Sequence, residues 1–415
     1  MADTAPRSPL APEAFPSLPA IAGVKMAVHE TGLRYQGRPD LLVTLFDPGT
    51  VAAGVFTRSK TRSAPVDWCR KALETAGGAA RALVVNAGNA NAFTGSRGLA
   101  SVVSTVEAAA ALAYCSSDQV FIASTGTIGE PLDAGPIVAF LTEAADRAGS
   151  AGWEDAATAI MTTDTYPKGA GAVTEIAGQP VSIAGIAKGS GMIAPDMATM
   201  LSYVFTDAAI APDVLQALLA KGVRDSFNAI TVDGDTSTSD SLMLFATGKA
   251  GHDPITDLKD PRLKAFRKAL DEVLRDLAHQ VVKDGEGASK FVEIQVSGAT
   301  SKSAARKIGL AVANSPLVKT AIAGEDANWG RIVMAVGKSG EEANRDRMRI
   351  AVGGVVIAED GEAVPAYDEA PVAEHMRGQD IVIAVDVGIG GRGRDVVWTC
   401  DLTHGYISIN ADYRT

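Results

Sequence analysis

The chain is poor in cysteine, in aromatic residues and in long apolar runs, and each shortage excludes a class of protein. Its three cysteines (Cys69, Cys115 and Cys400) are far apart and form no CxxC pair, so we expect no disulfide framework and a reducing compartment. No segment reaches the roughly 18 uninterrupted apolar residues of a membrane span. The N-terminal segment carries Asp3 and Glu13 and lacks the apolar core of a secretory signal. These absences predict a cytoplasmic protein that does not interact with a membrane.

Positive charge is also scarce. The sequence has 38 Lys and Arg residues against 49 Asp and Glu residues, which gives a formal net charge of −11 at pH 7. Proteins that bind nucleic acid need clustered Lys and Arg residues to neutralise phosphates, and no such cluster stands out here. We therefore do not expect a nucleic-acid partner. Small substrates that carry both a positive and a negative charge remain possible.

The order of apolar runs and turn residues predicts the fold class. With 415 residues, 47% of them apolar, the chain is long enough for one large or two ordinary α/β domains. Strands are predicted at VKMAVHE, LLVTLFD, VAAGVFT, Met200–Phe205, FVEIQVSG and a hairpin around the Glu-Asp-Gly turn near residue 360. Helices are predicted over about 99–114, 211–226 and 262–282. This mixture indicates an α+β fold, a layered sandwich of mixed sheets flanked by helices.

Common cofactor and metal motifs were tested and do not fit. Residues Gly388–Gly393 spell GxGxxG after the strand IVIAVDV, but a dinucleotide site needs a helix next, so that its N-terminus faces the pyrophosphate. The following DVVWTCDL is strand-like, which favours a hairpin turn. The five histidines are scattered and contain no HExxH motif. We expect no metal and no permanently bound cofactor.

One segment, KGSGMIAPDMATML from Lys188 to Leu201, suits an unusual chemistry. A threonine at a chain terminus can use its own α-amine, with a pKa of about 7.7–8.0, as the general base for its hydroxyl. An internal threonine reaches that state when its Oγ attacks the preceding carbonyl and the resulting ester hydrolyses. Ala198 is a small residue before Thr199, and the glycine- and proline-containing approach also suits this route. A threonine that enters a strand is equally an ordinary β-former, so the pattern alone leaves both interpretations open.

The same segment closely resembles the cleavage-site signature of the ornithine acetyltransferase (glutamate N-acetyltransferase) family of arginine biosynthesis. Similar strings follow one another in family order through almost the whole chain: GVFTRSKTRSAPV, NAGNANAFTG, ASTGTIGEPL, MTTDTYPK, DGDTSTSDS, KDGEGASKF, VANSPLVKTA, GEDANWGRI and YISINADYRT. So many strings of this length make a chance similarity negligible.

The resemblance implies a self-cleaving enzyme with a fold of the N-terminal-nucleophile type, as in DmpA and ornithine acetyltransferase. Residues 1–198 would form an α chain that ends at Ala198, and residues 199–415 a β chain that begins with the nucleophile Thr199. The implied reaction moves an acetyl group from N²-acetylornithine to glutamate through an acetyl-threonine intermediate. Some members of the family also take acetyl-CoA as donor, which this sequence leaves open. The resemblance further implies an α₂β₂ assembly.

The family's site residues carry over position by position. Thr125 and Gly126 match the oxyanion hole, and Thr199 matches the nucleophile and, through its freed amine, the base. The positions that match substrate-binding residues are Thr165, Lys188, Thr199, Glu286, Asn410 and Thr415. Charge complementarity suggests Lys188 as partner of a substrate carboxylate and Glu286 as partner of an ammonium group. Taken alone, Gly126 is also compatible with a plain tight turn, the two charged residues with solvated surface positions, and Glu286 with a helix cap.

The sequence differs in two places from the residues that are usual in the family. Asp196 stands where asparagine is usual, three residues before Thr199, and an extra negative charge there is expected to affect the rate of self-cleavage or the pKa of the base. Ala87-Gly88 and Phe93 replace the usual Ser-Gly and Cys in the NAGNANAFTG loop. The nucleophile itself is intact, so we expect these differences to affect rates more than function.

Two other functions remain as alternatives. One is a self-processing hydrolase or aminopeptidase that uses the same nucleophile but delivers the acyl group to water. The other is a non-enzymatic binding protein in which Thr199 is structural and the chain stays whole.

Overall fold

The computed structural model describes residues 6–194 and 200–411. Asp196, Ala198, Thr199 and Thr415 lie outside the described residues. The fifteen strands within them are β1 Val24–His29, β2 Leu41–Phe46, β3 Val51–Phe56, β4 Ala82–Asn89, β5 Val120–Thr127, β6 Lys168–Ile176, β7 Gln179–Lys188, β8 Leu201–Thr206, β9 Ser241–Ala246, β10 Phe291–Ala299, β11 Arg349–Val352, β12 Val355–Glu359, β13 Glu362–Ala363, β14 Asp380–Asp386 and β15 Gly393–Cys400.

Eleven α-helices accompany these strands in the described part of the chain. They are α1 Ala64–Thr75, α2 Gly95–Ala113, α3 Gly135–Arg147, α4 Trp153–Ala159, α5 Pro212–Arg224, α6 Leu263–Lys283, α7 Lys302–Ala313, α8 Pro316–Ala323, α9 Trp329–Gly337, α10 Glu369–Arg377 and α11 His404–Asn410. None of the described helices combines the length and the apolar character needed to cross a bilayer. The three helices expected from the sequence near 99–114, 211–226 and 262–282 correspond to α2, α5 and α6.

The chain divides into two compact units. Among the described residues, the large unit comprises Glu13–Asn228 and Asp235–Val281, and the small unit comprises residues 6–12, Ala229–Gly234 and residues 282–411. This division differs from the predicted α and β chains, because β7 and β8 of the large unit lie on opposite sides of the Ala198–Thr199 bond.

Two sheets pack face to face in the large unit. One has the strand order β1-β2-β4-β5 and the other the order β3-β9-β8-β7-β6. Phe46 of the first sheet stacks on Phe245 of the second with 4.5 Å between ring centroids, and Phe205 lies 5.6 Å from Phe245. Burying such a ring contributes about 1.5–3 kcal/mol, so this cluster fixes the two sheets together.

Helices cover the outer faces of both sheets. Helices α1 and α2 contribute buried residues such as Cys69 and Val106 to the same core as the four-stranded sheet. Helix α6 packs on the five-stranded sheet so closely that a Cβ at Gly185 would lie 2.8 Å from Leu277. The large unit is therefore a sandwich of helices, sheet, sheet and helices, and the predicted α+β fold class is confirmed.

The small unit contains one six-stranded sheet with the order β13-β12-β11-β14-β10-β15. The predicted hairpin at the Glu-Asp-Gly turn joins β12 to β13, and a second turn at Gly353-Gly354 joins β11 to β12. The hairpin predicted at Gly388–Gly393 is wrong. Strand β14 pairs with β10 in parallel and β15 pairs with β10 in antiparallel fashion, so the glycine-rich loop reverses the chain but connects two strands that are separated by β10. A strand, not a helix, still follows the loop.

Candidate functional site

A pair of glycine turns in the large unit carries the predicted oxyanion hole. Strands β4 and β5 run in parallel, and their pairing becomes irregular at Gly88 and Asn89, opposite Thr125 and Gly126. Gly126 has φ = 129°, and a Cβ there would lie 2.3 Å from the carbonyl carbon of Gly88. Only glycine fits such a close backbone approach, so this turn holds Thr125 in one place.

Lys188, the last residue of β7, contacts this turn. Its side chain is buried, and its Nζ donates a hydrogen bond of 3.3 Å to Oγ1 of Thr125. A hydroxyl that accepts a bond from an ammonium group keeps its own proton for another acceptor. Lys188 therefore leaves the Thr125 hydroxyl able to donate to a developing oxyanion, and the structure brings these two predicted site residues together.

The ends of three neighbouring strands meet beside Lys188. In the register of the five-stranded sheet, Leu201 of β8 lies opposite Lys188 of β7 on one side and opposite Ser241 of β9 on the other. The N–H of Ser241 donates to the carbonyl of Met200 at 2.9 Å. Ala194 and Met200, which flank the undescribed segment 195–199, are both buried.

A buried ion pair lies in the loop before β6, next to the residues that follow the end of β7. The side chains of Asp164 and Lys168 are fully buried, and Lys168 Nζ lies 2.7 Å from Asp164 Oδ1. The same carboxylate accepts the backbone N–H groups of Gly189 at 2.6 Å and Thr162 at 3.0 Å. Burial raises the pKa of Asp164, but the ammonium groups of Lys168 and Lys188 lower it more, so its pKa lies below the ordinary range. This carboxylate is ionised and ties the loop at 162–165 to the loop that follows Lys188.

Removing one member of this pair should destabilise the folded chain strongly. Lys168→Met leaves the buried Asp164 carboxylate without its closest cation, which costs about 3–5 kcal/mol of unfolding free energy. Since the pKa of Asp164 is depressed, the contribution is present above about pH 4 and is lost only as the pH falls through the lower folded value. Urea unfolding at pH 7 measures it.

The matched control is the exposed pair Lys268–Glu272, which has the same i,i+4 spacing and whose side chains are 80% and 58% exposed. Lys268→Met should change the free energy of unfolding by only about 0.3–0.5 kcal/mol. Equal effects of the two substitutions would contradict the role given to the buried pair.

Thr165 lies in the loop that the Asp164 pair anchors. Its neighbour Thr163 is hydrogen-bonded to Ser190 through the two hydroxyl groups at 2.7 Å. The loop of the predicted substrate residue Thr165 is therefore joined to the loop after Lys188 by two independent contacts.

Asp240, just before β9, is a second buried acid near Lys188. Its side chain is 2% exposed, and its Oδ2 has no hydrogen-bond partner within residues 6–194 and 200–411. Burial raises the pKa of this carboxyl well above its ordinary value, although hydrogen bonds from Ser237 and the charge of Lys188 act in the opposite direction.

In the small unit, Glu286 and Asn410 are in direct contact. Nδ2 of Asn410 donates to Oε2 of Glu286 at 2.7 Å and to the carbonyl of Tyr406 at 3.0 Å. Asn410 is the last residue of α11, so this helix brings a C-terminal residue to the turn that follows α6. The structure thus pairs two of the predicted substrate residues.

Helix α11 is held on that turn by close backbone contacts. Thr403 caps the helix by accepting the N–H of Gly405 at 3.0 Å, and its hydroxyl donates to the carbonyl of Gly287 at 2.6 Å. Gly287 has φ = 73°, and a Cβ there would lie 2.5 Å from the backbone nitrogen of Tyr406. The C-terminal segment is therefore packed as far as the described chain extends.

The two sequence departures in the NAGNANAFTG loop have different surroundings. Ala87 is buried and lies opposite Thr125 in the strand register. Phe93 is 84% exposed and has φ = 58°, an uncommon conformation for a bulky residue. Its ring lies largely outside the fold, and the effect of these two departures on rates stays a prediction.

Sequence reasoning missed three buried charged residues of this region: Asp164, Lys168 and Asp240. The first two lie in MTTDTYPK and the third in DGDTSTSDS, strings quoted for their resemblance and not for their charges. A charged residue between strand-forming segments was the available signal, but its burial depends on contacts between distant parts of the chain.

Comparisons with known proteins identify the relatives of the chain. The ArgJ family model matches residues 25–415. The arginine biosynthesis bifunctional protein ArgJ of Bradyrhizobium diazoefficiens is 58% identical over 411 residues, which cover 98% of this chain and 99% of that protein. The protein of the same name from Gluconobacter oxydans is 58% identical over 415 residues, 100% of this chain and 97% of that protein. The crystal structure of ornithine acetyltransferase from Mycobacterium tuberculosis in complex with ornithine is 35% identical, with a TM-score of 0.38 over 43% of this chain and 94% of that one.

The sequence relationship and the layered α+β fold define an enzyme, an acyltransferase of amino-acid biosynthesis. The resemblance found in the sequence is confirmed over nearly the whole chain. The chain belongs to the ArgJ family.

Proposed function

We propose that the chain cleaves itself between Ala198 and Thr199 and then transfers an acetyl group from N²-acetylornithine to glutamate through an acetyl ester of Thr199. The observation that carries this proposal is the position of the Lys188–Thr125 contact. It lies beside the start of β8, and Thr199 precedes the first described residue of that segment, Met200, directly in the sequence.

Self-cleavage requires no group from outside the chain except water. Oγ of Thr199 attacks the carbonyl carbon of Ala198, and the peptide nitrogen leaves as the new α-amine while an ester forms. Water then hydrolyses the ester, which frees the carboxylate of Ala198 and the hydroxyl of Thr199. The products are an α chain of residues 1–198 and a β chain of residues 199–415.

Acetyl transfer follows with the same groups. The neutral α-amine of Thr199 takes the hydroxyl proton as Oγ attacks the acetyl carbonyl, and the amine then protonates the departing ornithine nitrogen. The Thr125 hydroxyl and the N–H of Gly126 stabilise the oxyanion, each donor contributing about 2.7–4 kcal/mol. Glutamate enters next, and its amine removes the acetyl group from Thr199.

The amino-acid substrates would be held by the other predicted residues. Lys188 offers an ammonium group for a substrate carboxylate, and Thr165 lies in the loop anchored next to it. In the small unit, Glu286 offers a carboxylate for a substrate ammonium group, positioned by Asn410. Thr415 keeps the binding role that the family resemblance gives it. An unchanged KM for acetylornithine in Glu286→Ala would contradict the role of Glu286.

Strand pairing supports the expectation that the two chains stay together after cleavage. Strands β7 and β8 pair over residues 183–188 and 201–206, and they would belong to different chains. We further propose assembly as α₂β₂ in the cytoplasm. The word "bifunctional" in the names of the relatives supports acetyl-CoA as a second donor.

Isotope exchange tests the transfer reaction without the acceptor. Labelled ornithine should appear in acetylornithine in the absence of glutamate, since the acetyl-enzyme forms reversibly. Absence of exchange, with acetyl release that depends only on water, would favour the self-processing hydrolase instead. A chain that remains whole on a denaturing gel would favour the binding protein.

A further inference from the structure

The oxyanion turn lies where the regular pairing of β4 and β5 ends. The two strands are in register as far as Gly88 and Gly126, and the pairing then shifts at Asn89, which faces both Thr125 and Thr127. An irregularity of this kind disrupts the ladder of backbone hydrogen bonds that fixes neighbouring strands. Hydrogen bonds from side chains can take the place of the ladder.

Asn86 supplies such bonds to both strands. The residue is buried, and its Nδ2 donates to the carbonyl oxygen of Asn89 at 3.0 Å. Its Oδ1 accepts the hydroxyl of Ser124, also buried, at 2.6 Å. Ser124 directly precedes Thr125, and Asn89 directly follows Gly88. One planar amide therefore joins the residue before one turn to the residue after the other.

The partners of Asn86 fix the direction of both bonds. A backbone carbonyl only accepts, so the amide atom that faces Asn89 is the nitrogen. The amide oxygen then faces Ser124, and the hydroxyl of Ser124 is the donor. An aspartate cannot reproduce this pattern, because a carboxylate has no proton to donate to the carbonyl of Asn89.

The two turns are so close that a movement of one displaces the other. A Cβ at Gly126 would lie 2.3 Å from the carbonyl carbon of Gly88 and 2.6 Å from the nitrogen of Asn89. The backbones of these residues are therefore in contact, and a shift of Asn89 moves the N–H of Gly126. Lys188 contacts the hydroxyl of Thr125, whereas Asn86 contacts the residues that flank the two turns.

We propose that Asn86 is a positioning residue for acyl transfer, which holds the Thr125–Gly126 turn in the geometry that stabilises the oxyanion. The inference rests on the oxyanion role proposed above for this turn. Oxyanion donors are effective because they are aimed in advance at the place where charge develops. A misplacement of about 1 Å can lower a rate by about 10²-fold, so the bonds from Asn86 to Ser124 and Asn89 control kcat without contact with the substrate.

The Asn86→Asp variant of the full chain tests the inference. It keeps the size of the side chain and loses the donor to Asn89. In the exchange of labelled ornithine, its kcat per cleaved chain should fall by about 10²-fold. Its KM for acetylornithine should change less than about threefold, because the groups that bind the substrate stay in place. A denaturing gel gives the cleaved fraction.

Ser124→Ala tests the other bond of the same amide. It removes only the hydroxyl that donates to Oδ1, so kcat should fall by about tenfold. Residues of one hydrogen-bond network do not act additively, so kcat of the double variant Asn86→Asp/Ser124→Ala should lie within about threefold of that of Asn86→Asp.

Asn91→Asp is the matched control. Asn91 is also buried, its Oδ1 accepts the hydroxyl of Thr94 at 2.8 Å, and its Nδ2 donates to the carbonyl of Gly98 at 3.0 Å. The same pattern of bonds here joins residues at the start of α2. Asn91→Asp should lower Tm as much as Asn86→Asp does. Its kcat should stay within about threefold of wild type, because no contact of the transition state is lost.

Equal losses of kcat in Asn86→Asp and Asn91→Asp would overturn the inference. So would a loss in Asn86→Asp that appears only in KM, or additive effects of Asn86→Asp and Ser124→Ala. If Asn86→Asp does not fold or is not cleaved, Ser124→Ala decides, and a wild-type kcat in that variant would overturn the inference. A wild-type chain without exchange would instead refute the proposed acetyl transfer, and the inference with it.

Discussion

Thr199→Ala is expected to yield a single uncleaved chain without acetyl transfer. Without Oγ there is no nucleophile for the carbonyl of Ala198, and without cleavage there is no α-amine to act as base. Removing a group on which both steps depend should lower kcat by about 10⁴-fold or more, since a covalent nucleophile and its base act as one unit. A denaturing gel and the exchange of labelled ornithine into acetylornithine measure the two losses separately.

Thr199→Ser is the control for this variant. Serine keeps the hydroxyl and loses only a methyl group, so cleavage and exchange should both persist at reduced rates. A Thr199→Ala chain that is still cut at the same bond, or that still exchanges ornithine, would show that another residue is the nucleophile.

Gly126→Ala is expected to abolish exchange as well, through the oxyanion turn. A Cβ at this position would lie 2.3 Å from the carbonyl carbon of Gly88 and 2.6 Å from the nitrogen of Asn89. Both contacts are with backbone, so the two turns must move apart and the Gly126 N–H must leave its place. Loss of one oxyanion donor costs about 10²–10³-fold in kcat, and kcat for exchange should fall by at least this amount.

Gly129→Ala is the control that separates the effect of a clash with backbone from the effect of a positive φ. Gly129 follows the same turn and has φ = 89°, but a Cβ there would have no neighbour within 4 Å. Its substitution should cost only the roughly 1–2 kcal/mol of the left-handed backbone and leave exchange nearly unchanged. Similar kcat values for the two variants would contradict an oxyanion role for Gly126.

The sequence was sufficient for the parts of the fold that depend on local pattern. Helical periodicity predicted α6, and short apolar runs predicted β1, β2, β3 and β8, whereas β6, β7 and β9 were not predicted. The local pattern failed at Gly388–Gly393, where the turn residues suggested a hairpin. Whether β14 pairs with β15 or both flank β10 depends on a strand about ninety to a hundred residues earlier in the chain, and no local pattern contains that information.

The candidate site shows the same limit. The resemblance to the family was enough to select Thr125, Lys188, Glu286 and Asn410. Only the structure shows the hydrogen bond from Lys188 to the Thr125 hydroxyl. Asp240 was not selected at all, although it lies within a quoted string. Its burial is a consequence of long-range packing, which no local pattern contains.

Direct detection of the acetylated N-terminus tests the central claim that Thr199 is both the new N-terminus and the nucleophile. The purified enzyme is incubated with acetylornithine but no glutamate, quenched in acid and digested for peptide mass spectrometry. The account predicts a β-chain peptide that begins Thr-Met-Leu-Ser and carries one acetyl group, which is lost when glutamate is added before the quench. An intact Ala198–Thr199 bond, or an acetyl group on any other residue, would contradict it.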